Sequence, residues 1–136
     1  MIALADMRAM ARSYLRAARM LNRKGNDSPD ASVYLCGYAV EIALKVRICR
    51  TLGWGGYPET NSEFQNFASF KMHNLEALLH LSGREARIKS DVALLGYWSV
   101  VREWNPEQRY GRIGPKTVTD AQDMTEATGR LLKELL

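Results

Sequence analysis

The stretch from Ser28 to Gly53 constrains this chain more than any other part of it. Ser28 is a good helix N-cap residue, and Pro29 suits the first helical position, where a backbone N–H has no partner anyway. Gly53 is a natural helix stop. Between them the pattern predicts a helix from about Asp30 to Leu52. Val33, Gly37, Val40, Leu44 and Ile48 form one apolar stripe. Leu35, Ile42, Val46 and Cys49 form another, nearly opposite at about 100° per residue. A helix apolar on two faces needs cover on both sides. It is therefore central in the domain, or it shares one face with a second subunit. Between the stripes runs a third row, Tyr34, Tyr38, Glu41 and Lys45, in which Glu41 and Lys45 are an i, i+4 pair in the favourable order.

The other segments read as companions to this rod. Ala3 to about Asn22 is amphipathic, with Leu4, Met7, Ala11, Tyr14, Ala18 and Leu21 recurring at three- and four-residue steps. Its opposite side carries Arg8, Arg12, Arg16, Arg19 and Arg23, which is a solvated face or a stripe that tracks phosphates. Gly25 ends that helix. "GWGGYPETNSEFQNFASFK" is a long connection with a short helical turn expected near Ser62 to Phe67. His73 or Asn74 caps a short helix holding Leu75, Leu78 and Leu79 and ending at Gly83. A further helix runs from Ser90 or Asp91 to Glu103, with Leu94, Leu95, Trp98 and Val101 on its core face. Asn105-Pro106 disfavours continuing it. The last helix spans about Thr119 to Leu136, capped by Thr117 or Thr119, with Val118, Ala121, Met124, Thr128, Leu131 and Leu135 as its stripe. No alternating strand pattern of useful length occurs. The expected fold is all-α, an up-and-down bundle of four or five helices forming one domain over residues 1–136.

Composition narrows the function classes. The net charge of +4 mildly favours an anionic partner such as nucleic acid or nucleotide. The first twenty residues interrupt any apolar run with an acid and several arginines, which argues against a secretory signal, and no stretch approaches the ~18 apolar residues of a membrane span. Cys36 and Cys49 fall on one helix, 13 residues apart. They are then about 20 Å apart at ~1.5 Å per residue and cannot pair within the chain. A reduced, cytoplasmic protein is the expectation. His73 and His80 are the only histidines, and no His/Cys cluster has metal-ligand spacing, so neither a metal nor a cofactor is expected.

"REWNPEQRYGR", residues 102–112, is the most unusual stretch. It sets Arg102, Arg109 and Arg112 around a helix end, where carbonyls carry partial negative charge. One reading has these arginines capping the carbonyls and pairing with Glu103, Glu107 or Glu41, while Trp104 and Tyr110 anchor the turn. The other is a pocket. Arg102 and Arg109 bind a phosphate or another anion, Trp104 or Tyr110 stacks on a base, and the row Tyr38, Glu41 and Lys45 lines the floor.

"YLCGYAVEIALKVRI", "KMHNLEALLHLSG" and "VREWNPEQRY", in that order, resemble the HEPN family of small helical bundles. The E-x-x-x-K of the second helix, the H-x-L-x-x-L-L opening the third and the arginine near the end of the fourth carry the likeness, which spans roughly residues 5–135. The resemblance implies a homodimer and a nucleotidyltransferase-type partner in a toxin–antitoxin or phage-defence setting; the apolar surface of the second helix gives the dimer separate support, and the second and fourth helices are expected to build its interface. Active members are metal-independent ribonucleases whose arginine is followed four to six residues later by a histidine. Arg102 matches the arginine. No histidine follows it, and Arg109 and Tyr110 stand in that region instead. A guanidinium, with a pKa above about 12, cannot serve as a base.

Three functions follow as expectations. The first is a homodimeric binding or regulatory module for an RNA, nucleotide or protein partner, without the usual ribonuclease chemistry. The second is a metal-independent endoribonuclease toxin with an altered site. There Arg102 and Arg109 hold the phosphate and Tyr110 or His73 moves the proton. The third is a structural scaffold. His73 otherwise starts its helix, and His80 is a packing or surface residue.

Overall fold

The computed structural model describes residues 1–23, 28–65, 72–107 and 116–136. Gly25, Phe67, Arg109, Tyr110 and Arg112, all singled out above, lie outside the described residues. Within them run six helices: α1 (Leu4–Leu21), α2 (Pro29–Leu52), α3 (Leu75–Ser82), α4 (Glu85–Ser90), α5 (Val92–Val101) and α6 (Val118–Leu135). A short strand β1 (Ile2–Ala3) pairs antiparallel with β2 (Gly56–Tyr57). The fold is all-α, a helical bundle with this one small addition.

α2 is the central rod. It packs against α1, α6, α3 and β2. Val33, Val40, Leu44 and Ile48 join Ala11, Leu15 and Ala18 of α1 and Ala127 and Leu131 of α6 in the main core. Val46 and Cys49, from the opposite stripe, join Met7, Tyr57 and Phe64 in a second cluster. Leu35 and Ile42 pack at the margin of the main core, half-buried. Both apolar stripes thus find cover within the chain, and the pattern of α2 no longer argues for a second subunit. The stop at Gly53 is as expected, with φ 72° and with the N–H groups of Gly53 and Trp54 donating to the carbonyls of Arg50 and Cys49. Ser28 makes no side-chain cap; its carbonyl receives the N–H of Ser32.

Other ends follow local chemistry. Asn74 caps α3 by accepting from the N–H of Ala77, and Asp91 caps α5 by accepting from that of Leu94. Thr117 and Asp120 form a reciprocal capping box at the start of α6. Three differences from expectation have simple causes. α4 contributes a single buried apolar residue, Ile88, so no periodicity marks it. β1 and β2 are two residues each, too short to show alternation. Leu95, expected in the core, is 40% exposed, because Leu94, Trp98 and Val101 already face inward and Leu95 is turned away from them.

The final turn of α6 is held by arginines. Arg47 donates to the carbonyls of Leu135 and Glu134, Arg50 to that of Leu136 and Arg84 to that of Glu134. Cations at the negative end of a helix dipole are favourable. Cys36 and Cys49 are free and buried, and burial pushes both thiols up to about 11, so neither is a ready nucleophile. No helix among the described residues is long and apolar enough to cross a membrane.

Candidate functional site

A cleft of about 780 Å³ opens between the start of α3, Lys89 of α4 and the turn that follows α5. Arg102, Glu103, Trp104, Asn105, Pro106 and Glu107 line it, together with His73, Asn74 and Glu76. The stretch 102–112 therefore edges a cleft through its described residues, 102–107.

Trp104 sets the position of that turn. Its backbone N–H donates to the carbonyl of Val101. Its ring is only 4% exposed and lies edge to face with Tyr38 at 5.0 Å, with Tyr34 at 6.2 Å. Gly37 makes this possible: a β-carbon there would stand 2.0 Å from an indole carbon. Gly37 is thus a seat for the tryptophan. Buried this way, Trp104 anchors the turn and offers no free face on which a base could stack. Its indole N–H has no hydrogen-bond partner among the described residues.

The row Tyr38, Glu41 and Lys45 was expected to line the floor. It lies one layer deeper. Tyr38 belongs to an aromatic cluster with Tyr14, Tyr34 and Trp104, and its hydroxyl is 3.3 Å from that of Tyr34. Glu41 is 2% exposed. Lys45 Nζ donates to Glu41 Oε1 at 2.9 Å and lies 5.2 Å from the centre of the Tyr57 ring. The second contact of that oxygen is His73 Nδ1, at 2.5 Å. His73 thus connects the buried Glu41 to the cleft it lines. Sequence reasoning gave it two roles, a start or cap of its helix and a proton carrier of an altered ribonuclease site; Asn74, the other cap candidate named there, performs the capping. The missing signal is tertiary, since nothing in the spacing of residues 41 and 73 brings them together.

The charges around the cleft divide into held and free. Glu76 accepts from Trp98 Nε1 at 2.8 Å and from Lys89 Nζ at 3.1 Å. Burial alone would raise the pKa of Glu76, but those two hydrogen bonds, with the charges of Lys89 and Arg102, leave it below the usual carboxylate value. Lys89 is held in turn, its pKa raised chiefly by the hydrogen bond to Glu76. Arg102 has a looser tie: its Nε lies 3.3 Å from Glu103 Oε1, with side-chain exposures of 51% and 81%. It does not reach Glu41, whose hydrogen bonds come from Lys45 and His73. The arginine ridge of α1 is exposed at Arg12, Arg16, Arg19 and Arg23, and none of it lines the cleft.

Among the described residues no group of three or more His, Cys, Asp or Glu side chains is placed to hold a metal ion. Comparison with family models, with curated proteins and with solved structures returns no match for this chain.

Proposed function

We propose that this chain is a HEPN-like, homodimeric binding module that takes single-stranded RNA by its phosphates in the cleft beside Arg102. The observation that carries this reading is the state of Arg102 itself. It lines the cleft, half-exposed, and its partner Glu103 is more exposed still. A surface pair of this kind contributes about 0–1 kcal/mol, so the guanidinium is available to a phosphate oxygen at little cost. Lys89, by contrast, is already committed to Glu76. Arg102 and Glu41 do not close on one another, which favours a binding role over a scaffold. The order of the three motifs along a helical bundle supports the HEPN kinship, and a reduced, cytoplasmic setting suits two buried free thiols.

The support for a dimer moves from α2 to α5. Val92, Leu95 and Val100 are 90%, 40% and 43% exposed on the outer side of α5, beside Gly96, where an added β-carbon would meet nothing. A helix apolar on its outer as well as its inner face calls for cover. A second copy of the same face supplies it by two-fold symmetry, and α5 leads directly into Arg102, so the pairing sets two clefts near each other.

Fluorescence anisotropy with a labelled single-stranded RNA tests binding, and light scattering at micromolar concentration tests the dimer. Arg102→Ala is expected to weaken binding about 10-fold, the loss of one charge-assisted phosphate contact worth ~1.4 kcal/mol, and to flatten the salt dependence. Unchanged affinity in Arg102→Ala would overturn the RNA reading. Binding of mononucleotides in preference to RNA would reassign the ligand. A monomer of 15.4 kDa would remove the dimer.

A further inference from the structure

We infer that the groove between α1 and α6 is a docking site for an acidic amphipathic helix of a partner protein, one whose aliphatic side chains are flanked by carboxylates. The groove shares no lining residue with the cleft beside Arg102, and the inference does not rest on the RNA reading.

α1 and α6 lie side by side on the central helix, and each packs on α2 more than on the other. At one end Asn22 ties them together, its side-chain amide donating to the Ala121 carbonyl and the Thr125 hydroxyl. Towards the last turn of α6 they leave a groove of about 270 Å³. Leu15 of α1, Leu132 of α6 and the terminal Leu136 give it an aliphatic floor. Arg12 and Arg19 line it from α1, and Lys133 lines it from α6. The two arginines stand about two turns apart on one face of their helix.

Gly129 completes the groove. Glycine within a helix is less stable than alanine, so its presence calls for a reason. Packing in the core does not supply one. A β-carbon there would meet the end of the Arg19 side chain, with Nη2 at 2.6 Å and Cζ at 3.7 Å, and Leu15 Cδ2 at an ordinary 3.9 Å. The absent side chain thus lets a guanidinium lie down against the backbone of α6. It keeps the groove open and a positive charge low inside it.

The charges of the groove are uncompensated. Arg12, Arg19 and Lys133 are exposed and make no ion pair among the described residues. No acid lines the groove. Cations elsewhere are held, Lys45 by Glu41, Arg87 by Glu134 and Lys89 by Glu76. Three like charges around leucines are complementary to carboxylates around an aliphatic side chain. The lining decides between protein and nucleic acid. Single strands bind by stacking bases on aromatic rings, and no aromatic residue lines this groove. A phosphate backbone would answer the cations and leave the leucines wet. An amphipathic helix answers both, with apolar residues at three- and four-residue steps and acids beside them.

The test is fluorescence anisotropy with a labelled synthetic peptide of leucine, alanine and glutamate, its leucines on one helix face. Two further peptides replace every glutamate with glutamine or every leucine with serine. Wild type is expected to bind the first peptide, more weakly as salt is raised, and each of the other two about 10-fold less well. Arg12→Ala combined with Arg19→Ala removes two exposed side chains, so the fold should stand, as circular dichroism checks. This double variant should bind the first peptide about 10-fold less well, with an unchanged affinity for single-stranded RNA. Absence of peptide binding to wild type would overturn the inference. Equal binding of the serine peptide would overturn it too, since charge alone would then account for the attraction. So would a double variant that loses RNA affinity and keeps the peptide, which would give this face to nucleic acid. Loss of self-association in the double variant, read by light scattering, would give the groove to a second copy of the chain and overturn the inference as well.

Discussion

Gly37→Ala lowers the melting temperature by roughly 10 °C, an expected loss of about 3 kcal/mol for a domain of this size. Helix propensity alone argues the reverse, since alanine is better than glycine by about 1 kcal/mol in a helix interior. Contact decides against propensity. The new β-carbon would stand 2.0, 2.1 and 2.2 Å from three atoms of the Trp104 indole. Non-bonded carbons rest at about 3.5–4.0 Å, so the ring must retreat by more than an ångström. An indole has no flexible tail with which to do so, and Tyr34 and Tyr38 stand beside it. A double-mutant cycle checks the cause. With Trp104→Ala already in place, Gly37→Ala should turn neutral or stabilising by up to about 1 kcal/mol. A wild-type background in which Gly37→Ala raises the melting temperature would refute the close contact. The RNA affinity proposed for the cleft should fall with stability in the single variant, because Trp104 anchors the turn that carries Arg102.

Trp98→Ala is expected to cost about 4 kcal/mol, measured by denaturant titration. Trp98 is the largest of the fully buried side chains. It fills the space between α5 and the core, and its indole N–H donates to Glu76 at 2.8 Å. Trp98→Phe separates these two roles. It retains much of the ring volume, loses the hydrogen bond, and should cost about 2 kcal/mol. The pH dependence gives the sign. The pKa of Glu76 is lowered in the folded chain, so its contribution is present above the unfolded carboxylate value and is lost as pH falls through the folded one. Burial opposes that lowering, and the Trp98 hydrogen bond is the first of the contacts that overcome it. The gap between wild type and Trp98→Phe should therefore narrow when stability is measured in acid rather than at neutral pH. A gap of constant width would mean that Glu76 does not feel the indole.

Much of the bundle was legible because it depends on local chemistry. The stop of α2 at Gly53, the Asn74 and Asp91 caps and the Thr117 capping box are each decided by residues within a turn of one another. The double stripe of α2 was legible as a demand for cover but not as an answer to who supplies it. α1, α6 and the β2 neighbourhood meet that demand, and such cover is a matter of which elements meet in space.

The site divides along the same line. Arg102 at the end of a proline-terminated helix could be read from the chain, because helix termination is local. The role of Trp104 could not, since it depends on a glycine 67 positions earlier standing beneath the ring. Nor could the approach of His73 to Glu41, on segments with no shared period. The amino-acid sequence determined where the helices begin and end and which of their faces are apolar, since caps and periodicity act within a few residues. The tertiary structure alone decided that an acid on the central rod is buried beneath a histidine at the edge of a cleft, because that pairing comes from packing between distant segments.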